Sequence, residues 1–430
     1  MSRFYIGLLE LEKLPQKKFK NREFGEAQSC LRILVIPELD WVTALQNRVH
    51  KIFNRLAKSN EVHVIYLEHE KKDIEQSYRL RNKIILHKPP IKYYKNLLLF
   101  YAINSVSIYA YLNRIIKFFN IELIVTTNFL FAPLAIQAAR KHHIPFIFDL
   151  VDFQPFHINY LNIFPSLIRK FGGALLVSIL KFDISHSNHV ITTGLPLSNY
   201  VKQMGFQNVS IISNGVDDRI FNPLYDKSLI QKKYNIASPI ICFIGALEYW
   251  IDYNSLFQSF SLLNSQFPSF YCLFIGPSRH YGLNRIKQIA AKYRISSRII
   301  FTGRIPYQQL PFYICASDVC ILPFTKNSLT HCIIPMKLFE YLACERPVLS
   351  VRLAGIQSIV HNAIIYADTP SEFAKKLAYI IKNPEKLSEK IMAGRAIAKK
   401  YNWNDLANEY RQTLQQVLSQ FLGKSQKRGK

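Results

Sequence analysis

ILPFTKNSLTHCIIPMKLFEYLACERPVLSV, residues Ile321 to Val351, is the most specific stretch of the chain. Its apolar opening, ending in Pro323 and Phe324, reads as a buried strand. A polar loop then leads into a helix whose first turn is Pro335, Met336 and Lys337. PVLSV, Pro347 to Val351, is a second strand. Strand, helix and strand within about thirty residues make a βαβ unit. The framework to expect is therefore a parallel sheet covered by helices on both faces.

The same alternation runs outward from this stretch. Before it come the strands PIICFIGAL (Pro239 to Leu247), FYCLFIG (Phe270 to Gly276), RIIFTGRI (Arg298 to Ile305) and VCILPF (Val319 to Phe324). Helical spacing covers Tyr253 to Phe267, Asn284 to Tyr293 and Gln308 to Ser317 between them. Further back the strands are LRILVIP (Leu31 to Pro37), VHVIYL (Val62 to Leu67), IELIVTTN (Ile121 to Asn128), PFIFDLVD (Pro145 to Asp152), HVITTG (His189 to Gly194) and VSIISNG (Val209 to Gly215). A polar stretch, Asp217 to Ser238, separates the two series. The fold class is α/β, with two doubly wound, Rossmann-like domains facing across a cleft at the carboxyl ends of their strands. The expected division is an irregular extension over 1–29, a first domain over 30–222, a second over 238–395, and a C-terminal helix with a basic tail over 396–430. The tail, GKSQKRGK, is expected to be solvated and disordered.

Composition agrees and narrows the function. A chain of 430 residues is long enough for two cores, and 49% hydrophobic against 20% charged residues excludes a disordered chain. Lysine and arginine number 55 against 29 acids, a net charge of +26, so a polyanion is an expected neighbour. Nucleic acid is the weaker choice, because no zinc-finger, RRM-like or helix-turn-helix signature accompanies the charge. The seven cysteines lie in apolar stretches without metal-ligand spacing and read as reduced core residues. The N-terminus lacks the features of a signal peptide. The longest apolar run, Leu97 to Leu112, falls short of the about 20 residues a bilayer requires and is broken by Asn104, Ser105 and Ser107. From Gln76 to Ile121 there are eight basic residues (Arg79, Arg81, Lys83, Lys88, Lys92, Lys95, Arg114, Lys117) and no acid, bracketing that apolar run. Tyr160 to Phe182 repeats the mixture with Arg169, Lys170 and Lys181. Both point to an anionic membrane surface, and to a cytoplasmic chain held peripherally on the inner face of the cell membrane. The alternative is a pair of buried helices with solvated basic ends.

In the opening stretch, Pro335 suits a helix start, where free backbone amides and the helix dipole favour phosphate. Lys337 adds a full positive charge there, and Glu340, one turn on, can accept two hydroxyls of a ribose. The competing reading is an ordinary i, i+3 ion pair between Lys337 and Glu340 on an exposed face. Asp149 and Asp152 close the strand PFIFDLVD, where a carboxylate of the first domain can orient an acceptor hydroxyl or serve as a general base. Trp41 and Arg48, after the first strand, are further acceptor-side candidates, against a core Trp and a surface Arg.

Together with SNGVDDRIF (Ser213 to Phe221), FIGALEYW (Phe243 to Trp250), LFIGP (Leu273 to Pro277) and FTGRIPYQQLPFYICASDVCILP (Phe301 to Pro323), the opening stretch resembles glycosyltransferase family 4, also called glycosyl transferases group 1. The resemblance covers the second domain in order and the strand ends of the first. It implies a GT-B fold, with a nucleoside diphosphate sugar as co-substrate on the second domain and no cofactor beside it. It also implies an acceptor on the first domain, no obligatory metal, and usually retention of anomeric configuration; a glycan or polyprenyl-phosphate-linked acceptor is the expectation that agrees with the membrane surface. By position, Glu340 matches the second glutamate of the family's Glu-x7-Glu motif, expected on ribose. Ile305 matches the residue whose backbone meets the base, and Gly245 the glycine of the loop near the donor phosphates.

The departures are specific. Cys332 replaces the first glutamate, and Ala246 and Asp252 stand where the family has an arginine and a lysine. The diphosphate charge then falls to Arg304, Lys326 and Lys337. Trp-x-Asp after the glycine loop and Pro-x-Lys-x-x-Glu-Tyr look like the marks of a divergent branch. The expected donor site is Gly245, Arg304, Ile305, Pro335, Met336, Lys337 and Glu340, with Asp152, Lys326 and Lys337 closest to the chemistry. The missing glutamate leaves a non-catalytic nucleotide-sugar or glycan binding protein as the alternative.

Overall fold

The structure is a computed structural model and describes residues 30–38, 41, 46–66, 84–92, 94, 97–153, 166–236, 239–278 and 281–428. The extension expected over 1–29, and Arg79, Arg81, Lys83 and Lys95 of the basic stretch, lie outside the described residues.

Two compact units form. The first draws its described residues from Met1–Thr192, Ser198–Ile212 and Leu406–Lys430, the second from Thr193–Leu197 and Ser213–Asp405. The first contains β1 (Arg32–Ile36), α1 (Arg48–Leu56), β2 (Glu61–Ile65), β3 (Ile84–His87), α2 (Leu97–Phe118), β4 (Leu123–Thr126), α3 (Ala132–Lys141) and β5 (Phe146–Leu150). It continues with α4 (Ser166–His186), β6 (His189–Thr192), α5 (Leu195–Gln203), whose first residues belong to the second unit, and β7 (Val209–Ile211). Among the described residues the strands form one parallel sheet in the order β3-β2-β1-β4-β5-β6-β7. The register sets Ile33 between Val62 and Leu123. Strand β1 is apolar after Arg32 because helices cover both faces of the sheet. Helix α1 starts on a capping box in which the Asn47 side chain accepts from the His50 amide and His50 returns a bond to the Asn47 backbone.

The second unit contains α6 (Ser228–Tyr234), β8 (Ile240–Ile244), α7 (Tyr253–Asn264), β9 (Tyr271–Ile275), α8 (Leu283–Lys292), β10 (Ile299–Gly303), α9 (Leu310–Cys315) and β11 (Val319–Leu322). Then come α10 (Ser328–His331), α11 (Met336–Ala343), β12 (Val348–Ser350), α12 (Ala354–Val360), β13 (Ile365–Tyr366), α13 (Pro370–Lys382) and α14 (Ser388–Lys400); the last helix, α15 (Trp403–Arg428), belongs from Leu406 onward to the first unit. Its sheet, also parallel, runs β10-β9-β8-β11-β12-β13 among the described residues. Successive residues of β8 feed two cores. Ile240, Cys242 and Ile244 join Leu322, Leu338 and Tyr341, while Ile241 and Phe243 join Phe257, Phe274 and Leu377.

Three sequence readings change. The polar stretch from Asp217 to Ser238 holds α6, and its Ile230 and Ile236 enter the second unit's core. Helix α15 continues through the supposed tail to Arg428. Five cysteines are buried as expected, but Cys30 and Cys332 are partly exposed, and all seven are free thiols.

Candidate functional site

In the second unit, strands β9 and β10 extend the sheet to one side of β8, and β12 and β13 extend it from β11 to the other. The strand order therefore reverses between β8 and β11, and ligands bind outside the carboxyl ends of strands at such a point. Gly245 follows β8 and Phe324 lies just past the end of β11. The backbone is drawn tight here. The Gly245 amide donates to the Ile275 carbonyl at 2.8 Å and the Gly276 amide to the Gly303 carbonyl at 2.9 Å. Gly276 has φ 145°, and a Cβ there would stand 2.0 Å from the Gly245 oxygen. Gly245 itself has φ 131°, and a Cβ on it would stand 2.3 Å from Lys337 Nζ. Only glycine lets the Lys337 ammonium rest against the end of β8.

Helix α11 brings Lys337 there. Pro335 is the N-cap residue, with extended backbone, one position earlier than expected, and Met336 is the first helical residue. The Lys337 ammonium lies 4.0 Å from the centre of the Phe243 ring and 5.5 Å from that of Phe324. It has no ion pair among the described residues. Burial pulls its pKa from an ordinary 10.5 to about 7, against the opposing field of Glu340. Glu340 is buried one turn on. The exposed ion-pair reading of these two residues therefore fails. What stands at the switch point is a cation without a bonded anion among the described residues, beside the amino end of a helix.

Two residues that the sequence reading passed over fix this helix. The Asn214 side-chain amide donates to the Ile334 carbonyl at 2.7 Å, holding the residue before Pro335. The Tyr341 hydroxyl accepts the Ile244 amide at 2.7 Å, binding the last peptide of β8 to α11. The signals were present, Asn214 in SNG and Tyr341 beside Glu340, but neither spacing says which distant backbone group is the partner.

The other donor-side candidates are placed less centrally. Gly303 ends β10, Arg304 after it is exposed, and Ile305 packs partly buried against the core. Lys326 is bound to Asp368 at 2.5 Å, and Arg352 binds the same carboxylate. Burial would raise the Asp368 pKa, but Lys326 and Arg352 hold it down to about 2. The charge of Lys326 is thus already answered, unlike that of Lys337. Asp252, in the place of a family lysine, caps α7 by accepting the Ser255 amide at 3.0 Å. Cys332 ends the short helix α10.

In the first unit the order reverses between β1 and β4. The Glu38 amide donates to Thr127 Oγ1 at 2.9 Å, and Asn128 Oδ1 accepts the Leu130 and Phe131 amides at 3.1 and 3.2 Å, building the start of α3. Trp41 is buried, with the His50 ring 4.3 Å away. Arg48 is no surface residue: it is 2% exposed and binds the equally buried Asp149 through two contacts of 3.3 and 3.4 Å. The Tyr410 hydroxyl, from α15, donates to Asp149 at 3.1 Å. Breaking such a pair by removing one partner costs about 3–5 kcal/mol, so Arg48 and Asp149 hold the unit together. Asp152 lies just past the end of β5 and is partly buried.

Two doubly wound units, the second with a lysine and a glutamate on the first turns of the helix after its switch point, define the GT-B class of glycosyltransferase. The chain belongs to this class by its family matches: residues 226–410 match the model for glycosyl transferases group 1, and residues 45–219 that for glycosyltransferase family 4. A curated relative, the Bacillus subtilis protein named as putative teichuronic acid biosynthesis glycosyltransferase TuaH, is 24% identical over 208 residues. That alignment takes in 47% of this chain and about half (49%) of the relative's length. Among solved structures, a sucrose-phosphate synthase from Thermosynechococcus elongatus superposes with a TM-score of 0.73 at 16% identity, over 90% of this chain and 99% of that one. Anabaena HepE, solved in complex with UDP, gives 0.68 at 14% identity, over 90% and 100%. These likenesses show the fold.

Proposed function

We propose that the chain transfers a hexose from a nucleoside diphosphate sugar to a glycan or a polyprenyl-phosphate-linked acceptor, with retention of configuration, in the assembly of a surface polysaccharide or a glycoprotein glycan. The observation that carries this reading is the Lys337 ammonium, set over two phenyl rings at the switch point with no carboxylate bound to it among the described residues. A diphosphate supplies the missing anion, the free amides of α11 add hydrogen bonds, and Glu340 takes the ribose hydroxyls. Solved complexes of the fold neighbour HepE with UDP and with UDP-glucose support a uridine nucleotide as the first donor to try.

In the transfer, the bond from the anomeric carbon to the leaving phosphate oxygen breaks and the bond to the acceptor oxygen forms. The acceptor's proton passes to the departing diphosphate. Lys337 and the helix amides stabilise the charge that collects on the leaving group. Arg304 and the backbone of Ile305 complete the donor side, Lys326 joining them only by exchanging its Asp368 partner for the diphosphate, and Asp152 orients the acceptor hydroxyl. In this reading the chain works from the cytoplasmic side, attached to the inner face of the cell membrane.

The test is incubation of the purified chain with labelled UDP-, GDP-, ADP- and dTDP-sugars and a lipid-linked glycan extract. Label appearing in the lipid fraction, with equimolar release of one nucleoside diphosphate, supports transfer. Nucleotide binding without release, turned into release by Cys332→Glu, would instead favour the binding-protein reading.

A further inference from the structure

The two apolar, basic segments of the first unit lie on helices of one layer. Helix α3 packs against α2 on one side and α4 on the other. Tyr101 of α2 stands 4.5 Å from the Phe131 ring at the start of α3, and His142 at its end lies 2.9 Å from Asn113 of α2. Along α2, Leu99, Ile103, Val106, Ala110, Arg114 and Lys117 follow one another at steps of three and four, and all are exposed. Val106 is 79% exposed. On α4, Leu175 and Phe182 face outward, Leu175 at 62%, with Lys181 beside them. Helix α3, between the two, exposes Arg140 and Lys141. A surface cleft of about 490 Å³ at the end of α4, lined by Lys181, Phe182, Met204 and Phe206, continues the face.

Charge separates this layer from an ordinary solvated surface. The sequences of α2, α3 and α4 hold seven lysines and arginines and a single acid, Asp183. Asp183 is fully buried, and burial raises its pKa to about 9, so it puts no negative charge on the face. Apolar ridges beside basic ends, with no exposed acid among these helices, match an anionic bilayer in both properties. A nucleic acid would answer the charge but offers no apolar phase to Val106 and Leu175.

We infer that the outer face of the α2–α3–α4 layer is the surface by which the chain docks on an anionic lipid bilayer, Leu99, Ile103, Val106, Leu175 and Phe182 entering the acyl boundary while the lysines and arginines meet the headgroups. The inference deepens the membrane-bound part of the proposed function and rests on it for the acceptor, though not for the donor. Among the described residues no helix is long and apolar enough to cross a membrane, so this face would hold the chain at the surface.

The test is co-sedimentation of the whole chain with vesicles of phosphatidylcholine alone or mixed with phosphatidylglycerol, with UDP affinity measured on the same preparations. Wild type is expected to pellet with the anionic vesicles only, and Val106→Asp with Leu175→Asp to weaken partitioning by about tenfold at unchanged UDP affinity. Val106→Trp keeps the face apolar, and its added emission should shift to the blue with anionic vesicles. Equal pelleting of the double aspartate variant, or no shift in the emission that Val106→Trp adds, overturns the inference. So does a wild-type dimer that ignores vesicles and becomes a monomer in the double variant, which would assign the face to a second copy of the chain. Vesicle binding without any nucleotide binding would keep the docking face and overturn the donor reading.

Discussion

Burying the Lys337 ammonium over Phe243 and Phe324 costs more than the ring faces return, and its pKa of about 7 records the difference. Below pH 7 the group is charged in the folded and the unfolded chain alike. Between about 7 and 10.5 the folded chain has released the proton that the unfolded chain keeps, so stability rises with pH across that window. A bound diphosphate favours the charged form and reverses the shift, so binding above pH 7 takes up a proton. Nucleoside diphosphate affinity should therefore fall as pH rises from about 7 to 9, and Lys337→Met should bind weakly with little dependence on pH. Calorimetry in two buffers of different ionisation enthalpy checks this, since only the wild type should show proton uptake. The placement of Lys337 and Glu340 on one helix was legible in the sequence because its phase fixes them, and Gly245 came from the resemblance to the family. The aromatic cradle of Lys337 was not, because Phe243 and Phe324 come from separate strands. Arg48 misled for a related reason: nothing local announces that its partner is Asp149, on β5.

At the scale of the element, α11 holds its place through contacts made far away in sequence. The Asn214 amide fixes the Ile334 carbonyl, and Tyr341 receives the last amide of β8. Asn214→Ala leaves a buried carbonyl without its donor, a loss of about 1–3 kcal/mol. The variant should unfold at a lower temperature and bind nucleotide several times more weakly, about fivefold, because the amides before Lys337 are no longer held. Thermal unfolding and calorimetry on the same samples check both; an unchanged affinity in a destabilised chain would limit Asn214 to stability. The strands and helices themselves were largely legible, because a buried parallel sheet writes continuous apolar runs into the sequence. Strand β3 was missed: it is four residues at the sheet edge, inside a polar and basic stretch. The helical end of α15 was missed because its lysines, glycine and serine read as a tail.

At the scale of the molecule, the chain builds most of its first unit, then its second, and returns to the first at Leu406. Tyr410 packs edge-on against Phe53 at 5.5 Å and bonds Asp149, so α15 completes the core that α1 and β5 begin. Removing 406–430 should destabilise the first unit selectively, and limited proteolysis should cut within 30–212 while 213–405 resists; equal resistance in both would contradict this role for α15. Two doubly wound units could be read from alternation alone, but the return of the C-terminal helix could not, since it depends on a hydroxyl meeting a carboxylate across most of the sequence. The claim on which the rest stands is that the second unit holds a nucleoside diphosphate through Lys337 and Glu340. Its most direct test is calorimetric titration of the wild type and of Glu340→Ala with UDP, GDP, ADP, dTDP and CMP. One nucleotide should bind the wild type at one site, and Glu340→Ala, checked to be folded, should weaken it by about tenfold or more. Wild-type affinity in Glu340→Ala, or no binding of any of the nucleotides, would contradict the account.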